Sequence, residues 1–274
     1  MKKNERQDKP DYLKRIKALR LIDDDFMNLV FNGNTEGTEL LLKIILGRDD
    51  LKVTEVRTQN KMNSLGGRSV CLDIYATDSE GSKYDIEIQR TNKGANPKRA
   101  RYHSSMVDAD MLKEGEDFTN LRENYVIFIT EKDAIGTGKP IYHIERMVCE
   151  DKVQFQDGEH IIYVNGANKT EDTALGRLMR DFFCTNAKDM HYKELSDKVR
   201  YYKETEEGVD KMCEIWDEIR NEGRKEGRKE GMENARIKNA KAMIKDGVLP
   251  LEKIAEYSGL SLEKVRELAG SKSA

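Results

Sequence analysis

Two short stretches decide the fold of this chain: Ser69-Val70-Cys71-Leu72-Asp73-Ile74-Tyr75 and Tyr84-Asp85-Ile86-Glu87-Ile88-Gln89. Successive side chains of a strand point to opposite faces. Alternation therefore sets Val70, Leu72 and Ile74 against Asp73 in the first stretch, and Ile86 and Ile88 against Asp85, Glu87 and Gln89 in the second. Between them Asp78-Ser79-Glu80-Gly81-Ser82 has the composition of a hairpin turn, which predicts an antiparallel pair with one apolar and one acidic face. Asp73 and Glu87 then converge across the ladder, where like charges repel unless a cation lies between them. A hard divalent ion answers that need, since Mg²⁺ takes a few carboxylates together with waters and substrate phosphate. Asp85 shares the face as a bystander or a substitute ligand.

The neighbouring sequence extends this pair into a sheet. Residues 26–31 and 39–46 have helical spacing of apolar residues, with Gly47 as a C-cap, and residues 53–57 read as a further strand. Downstream, Pro97 starts a helix that runs through Ala100, Met106, Ala109 and Leu112 and ends near Gly115. Residues 125–129 form a continuous β-type run suited to a buried strand, and residues 141–147 and 161–164 add to the sheet. Lys98, Arg99, Arg101 and Tyr102 crowd the first turns of the Pro97 helix. With Lys93 they give residues 91–103 a charge of +4 and no acid. Bases beside the free N–H groups of a helix start favour phosphate, and such contacts hold a nucleic-acid backbone without reading sequence.

From about residue 170 the composition turns helical, over residues 173–184 and 187–222, with Met212, Ile215, Trp216 and Ile219 on one stripe. Residues 204–222 hold eight acids and two bases, and residues 223–241 reverse to seven bases and three acids. Across that reversal Glu222-Gly223-Arg224-Lys225-Glu226-Gly227-Arg228-Lys229-Glu230-Gly231 places glycines at i, i+4 and i+8. Each costs a helix about 1 kcal/mol against alanine. The row admits a close partner helix, but the reading adopted is a solvated, partly frayed connector. Residues 251–257 and 261–268 form two short helices about Ser258-Gly259-Leu260, with Ser261 as N-cap and Ala255, Gly259, Leu260, Val265 and Leu268 at helix-turn-helix packing positions. The second helix balances Glu263 and Glu267 against Lys264 and Arg266, so DNA binding and a packing or assembly hairpin stand as equal readings.

Composition sets the outer limits. Of 274 residues, 37% are hydrophobic and 36% charged, enough apolar content for one packed core with a solvated helical surplus. The most apolar runs, residues 40–46 and 125–129, are far short of the roughly 20 residues a membrane span needs. The charged start, residues 1–6, lacks an apolar segment of the secretory type, so a cytoplasmic location is expected. Four scattered cysteines and four histidines show neither zinc-site nor disulfide spacing.

The order of elements, together with Asp73 and Glu87-Ile88-Gln89, resembles the PD-(D/E)XK nuclease fold over roughly residues 23–165. Within it the chain is similar to the PD-(D/E)XK nuclease family transposases and recombination-promoting nucleases. The resemblance implies an α/β fold, a restriction-endonuclease-like mixed sheet core flanked by helices and followed by a helical C-terminal extension. The expected division is 1–170 for the core, 171–222 for the extension and 223–274 for the tail. It also implies a metal-dependent DNA endonuclease with Asp73, Glu87 and Gln89 as catalytic residues, using Mg²⁺ with Mn²⁺ as a substitute. Asp73 and Glu87 would be ligands, with a third acid from the first helix. The candidates are Glu36 and Glu39, which share one helical face and between which the sequence does not choose; Glu39 stands in the expected ligand set. DNA is the implied partner, held by Lys98, Arg99 and Arg101, with no membrane partner and a homo-oligomer through the C-terminal helices. Leu72 stands where many members of the superfamily have proline, and Gln89 replaces the usual lysine. The competing reading is an inactive nuclease-like scaffold that binds DNA or protein through its tail.

Overall fold

Strands β1 (Val53–Met62), β2 (Val70–Asp78) and β3 (Lys83–Gln89) form an antiparallel meander in which Ile74 faces Ile86, Tyr75 faces Asp85 and Ala76 faces Tyr84. Asp78 turns the β2–β3 hairpin: its Oδ1 accepts from the Glu80 and Ser82 N–H groups at 2.9 Å each, and its Oδ2 accepts from the Tyr84 hydroxyl at 2.7 Å. Gly81 takes φ +88° there, a conformation glycine adopts without strain. The computed structural model describes residues 9–64, 67–91 and 94–270. Residues 1–6, Lys93 and the side chains of Ile219 and Glu222, all used in the sequence reading, lie outside the described residues.

Strand β4 (Asn124–Thr130) lies parallel to β3. Beyond it come β5 (Ile141–Ile144), a small separate hairpin of β6 (Met147–Val148) and β7 (Val153–Gln154), and β8 (Glu159–Asn165), which is parallel to β4 and antiparallel to β5. The order across the six-stranded sheet is β1-β2-β3-β4-β8-β5, so the run expected over 141–147 joins the sheet only as far as Ile144.

Helices α1 (Lys9–Ala18), α2 (Asp24–Phe31) and α3 (Thr35–Leu46) precede the sheet, and α2 and α3 pack against β1. The parallel β3–β4 pair requires a crossover, supplied by α4 (Pro97–Met111). Asn96 caps α4 by accepting from the Lys98 N–H, and Pro97 occupies its first turn. The helix stops at Met111, short of Gly115, because Leu112 turns extended. Through Ala100 it packs with Val126, Phe128 and Tyr163, on the face that Asp85 and Glu87 share. The acidic face is therefore covered rather than open: Tyr84 through Ile88 are buried, and Asp85 and Glu87 are 0% exposed.

At the opposite end of the parallel strands, Tyr84, Tyr125 and His160 stack in sequence across β3, β4 and β8, with ring centroids 4.9 and 4.4 Å apart. His160 Nδ1 lies 2.9 Å from Glu145, and its Nε2 pairs with Glu123. Burial alone lowers the imidazole pKa, but the hydrogen bonds to Glu145 and Glu123 outweigh it and the pKa is raised. A raised folded-state pKa means the contribution is full below the unfolded histidine value of about 6.5 and is lost as pH rises through the folded value. Thermal melts of wild type and His160→Gln should differ most near about pH 6 and converge as pH rises. A constant difference across that range would remove the ion bridge as the cause.

Helices α5 (Ala174–Phe183), α6 (Lys193–Glu204), α7 (Glu206–Asp246), α8 (Leu251–Ser258) and α9 (Leu262–Gly270) complete the chain. Thr205 breaks the helical run expected over 187–222. The glycine repeat is not a frayed connector: it lies inside the 41-residue α7, and a Cβ at Gly223, Gly227 or Gly231 would meet nothing within 4 Å. Two compact units result, one ending at Val209 and one starting at Asp210. In the second, Ala240 of α7 packs with Ile254, Leu260 and Val265 of the α8–α9 turn, and the Ser261 hydroxyl accepts from the Lys264 N–H at 3.2 Å.

Candidate active site

The β2–β3 ladder last pairs at Ile74 and Ile86, and the acids sit where regular pairing ends. There side chains replace main-chain bonds: Glu87 Oε1 accepts from the Asp73 N–H at 3.1 Å, and Asp73 Oδ2 accepts from the Ile88 N–H at 3.0 Å. Each carboxylate thus reaches the backbone of the other strand. Gln89, at the end of β3, donates from Nε2 to Glu87 Oε2 at 3.3 Å.

Helix α4 supplies the other wall. Arg99 and His103 are four residues apart and share one helical face. The Arg99 guanidinium pairs with Glu87 Oε2, and Arg99 Nε–H donates to His103 Nε2 at 3.2 Å. His103 Nδ1 lies 2.8 Å from Asp85 Oδ2 and 3.7 Å from Glu87 Oε1. Donor atoms of Asp85, Glu87 and His103 lie within 4.8 Å of one another, a buried group with the geometry to hold a metal ion.

Electrostatics mark the same place. Burial raises the Glu87 pKa, with the Asp85 and Asp73 charges adding to it. Burial and then Asp73 push Asp85 well up. Asp73 is raised by burial against the Ile88 hydrogen bond, and the next contribution is the Asp24 charge from the first turn of α2. Burial lowers His103 against the pull of Glu87. Three neighbouring acids therefore resist ionising together, and Asp85 Oδ1 is buried without a hydrogen-bond partner. Hard oxygen donors short of positive charge fit a divalent cation.

The structure brings Asp73, Glu87 and Gln89 together as the spacing predicted, and it does not bring Glu39 to them. Glu39 pairs with Lys43 at 2.9 Å and accepts from the Val53 N–H at 3.0 Å, tying α3 to β1, while Glu36 is exposed. Helical spacing shows that two side chains share a face but not which element lies opposite. Arg99 is turned inward onto Glu87 with its side chain still 36% exposed, whereas Lys98 and Arg101 are on the surface. His103 went unread in the sequence. Its signal was there: Ala100, His103, Ser104 and Val107 form the buried stripe of α4.

A mixed sheet with acids at the β2–β3 fork and a crossover helix closing over them defines a PD-(D/E)XK-type nuclease fold. The family model for PD-(D/E)XK nuclease family transposases matches residues 26–246, most of the chain, and the protein belongs to that family. The match runs well past residue 165 and takes in α5, α6 and α7. Comparisons with curated proteins and with solved structures find no match. The protein is thus nuclease-like, and among the described residues no helix is long and apolar enough to cross a membrane.

Proposed function

We propose that this protein is a metal-dependent DNA endonuclease of mobile-element or recombination-associated DNA. The observation that carries the reading is the fork itself: Asp73, half-buried, and Glu87, fully buried, sit on adjoining strands, and each holds the other's backbone and resists ionisation without a cation. They would hold Mg²⁺, or Mn²⁺ in its place, with Asp24 rather than Glu39 as the nearby acid from the first helices. Such an ion, when bound, activates water and stabilises charge at the scissile phosphate. Gln89, anchored to Glu87 through its NH₂ group, keeps its carbonyl oxygen to orient the attacking water. Lys98 and Arg101, exposed on α4, hold the DNA backbone. The bases of residues 223–241 add a second contact, and the open glycine row of α7 is where a second copy would approach. Plasmid nicking with Mg²⁺, Mn²⁺ or EDTA, comparing wild type with Asp73→Ala, tests the reading. Cutting that ignores EDTA or survives Asp73→Ala sinks it.

The role of Gln89 has its own test. A Cβ on Gly94 would lie 1.7 Å from Gln89 Oε1, so Gly94→Ala must push the amide off Glu87. Because the obstacle is a flexible side-chain end, nicking should fall ~10-fold while the melting temperature barely moves. Gln89→Lys should retain or increase nicking, since it places a cation beside Glu87. Loss of cutting in a folded Gln89→Lys protein would show that the neutral amide is required. Removing residues 223–274 should weaken DNA binding and flatten its salt dependence.

A second reading, a nuclease-like scaffold that binds DNA or protein through its tail without cutting, is favoured by one observation. Arg99 already supplies a positive charge to Glu87. The nicking assay decides between the two.

A further inference from the structure

The cluster behind Glu87 holds more polar machinery than a metal site at the fork needs. Asp85 and His103 are 0% and 3% exposed, and Asp85 makes no ion pair with a lysine or arginine among the described residues. An interior carboxylate without such a partner is among the costliest groups to bury. The hydrogen-bond directions show what the pair does. Arg99 Nε–H can only donate, so the His103 Nε2 that receives it is the bare ring nitrogen. The proton of the neutral ring then sits on Nδ1 and is given to Asp85 Oδ2. A ring nitrogen that carries a proton toward a carboxylate has no lone pair for a metal. His103 therefore stands behind the metal site and not in it.

Arg99 is fixed at three points: Nε on His103 Nε2, one terminal nitrogen on the Gly94 carbonyl at 3.2 Å, and the other on Glu87 Oε2. Of its five N–H groups two remain, and its side chain is 36% exposed. We propose that Asp85 and His103 are positioning residues that orient Arg99, clamping its guanidinium against Glu87 so that its two remaining N–H groups meet a non-bridging oxygen of the bound phosphodiester. This rests on the nuclease reading for its substrate, while the relay from Asp85 through His103 to Arg99 rests on geometry alone. A lysine at position 99 could not span the three anchors, because it lacks the planar fork.

Two measurements on the full chain test it. In ¹⁵N NMR of the metal-free protein, His103 should be the Nδ1-protonated tautomer, and the Arg99 Nε–H should exchange slowly with water. His103→Phe keeps the ring shape and removes both hydrogen bonds, so the Arg99 Nε–H should become fast-exchanging. Asp85→Leu should do the same, while Asp85→Asn, whose amide oxygen still accepts from Nδ1–H, should preserve the protection. In plasmid nicking at saturating Mg²⁺, His103→Phe and Asp85→Leu should lose ~10–100-fold in kcat with KM for DNA within about 3-fold, and Asp85→Asn should stay within about 3-fold of wild type. A His103 ring protonated at Nε2, a ring that loses its Nδ1 proton when Mg²⁺ or Zn²⁺ is added, or a His103→Phe protein that cuts at the wild-type rate overturns the proposal. A wild type that never nicks, with the relay intact by NMR, brings down the nuclease reading and with it the phosphate role, not the relay.

Discussion

Asp73→Asn and Glu87→Gln should each lower metal-dependent nicking by on the order of 10²–10³-fold or more, the scale for losing an electrostatic group that acts on the transition state. DNA binding should persist, because Lys98 and Arg101 are untouched. The same variants should shift stability in the opposite direction. Asp73, Asp85 and Glu87 all have raised folded-state pKa values, with burial the first cause of each. A carboxyl raised in this way binds a proton in the folded state that the unfolded chain has released. Its stabilisation is full below the ordinary carboxylate range and is lost as pH rises through the folded value. Relative to each amide variant, metal-free wild type should therefore lose stability as pH climbs above about 4, the unfolded carboxylate value. Added Mg²⁺ should raise the melting temperature of wild type and leave the variants nearly unchanged. Identical melting curves for wild type and Glu87→Gln at every pH, with and without metal, would break the link between these acids and a bound cation.

The parts of this site that were legible in the sequence are those set by local chemistry. Asp78, Gly81 and Ser82 make a turn from their own side-chain and backbone preferences, and period-two alternation places Asp73 beside Glu87 once that turn is fixed. What alternation cannot show is what covers a face. Asp85 and Glu87 read only as an acidic sheet face, and they are buried because α4 crosses over them, a fact of tertiary packing. The same limit hid Arg99, which has the composition of a surface base and the position of an internal counter-ion. Glu39 went astray for the reverse reason, since a plausible helix face met β1 rather than the fork. Helix α1 gives no clear apolar period because half of its residues are charged, although Ile16 is buried. In α7, the cost of three glycines was overweighed against Arg, Lys and Glu neighbours that favour helix.

Glycine substitutions on α5 and α7 should move stability in opposite directions, although both residues lie in helices. At α5 the Thr173 hydroxyl accepts from the Gly176 N–H at 3.0 Å, and the chain before it folds back so closely that a Cβ on Gly176 would lie 1.8 Å from the Thr170 carbonyl oxygen. The obstacle is backbone, which can retreat only by opening the cap. Helix α5 buries Leu178, Met179 and Phe182, sets Phe182 6.1 Å from Phe31, and accepts the Ile22 N–H on the Phe182 carbonyl at 3.2 Å, so a shift there spreads toward α2. Gly176→Ala should cost about 3 kcal/mol, lowering the melting temperature of a unit this size by roughly 6–12 °C. Thr173→Ala, which removes the cap but adds no clash, should cost only about 1 kcal/mol. Gly227→Ala on α7 meets open space and exchanges glycine for the best helix former, so it should stabilise the helix by about 1 kcal/mol. Calorimetry of the three variants checks the order. If Gly176→Ala melts with wild type, the turn before α5 has room that its geometry denies, and if Gly227→Ala melts lower, the open face of α7 is occupied in solution by a neighbouring helix that a methyl group displaces.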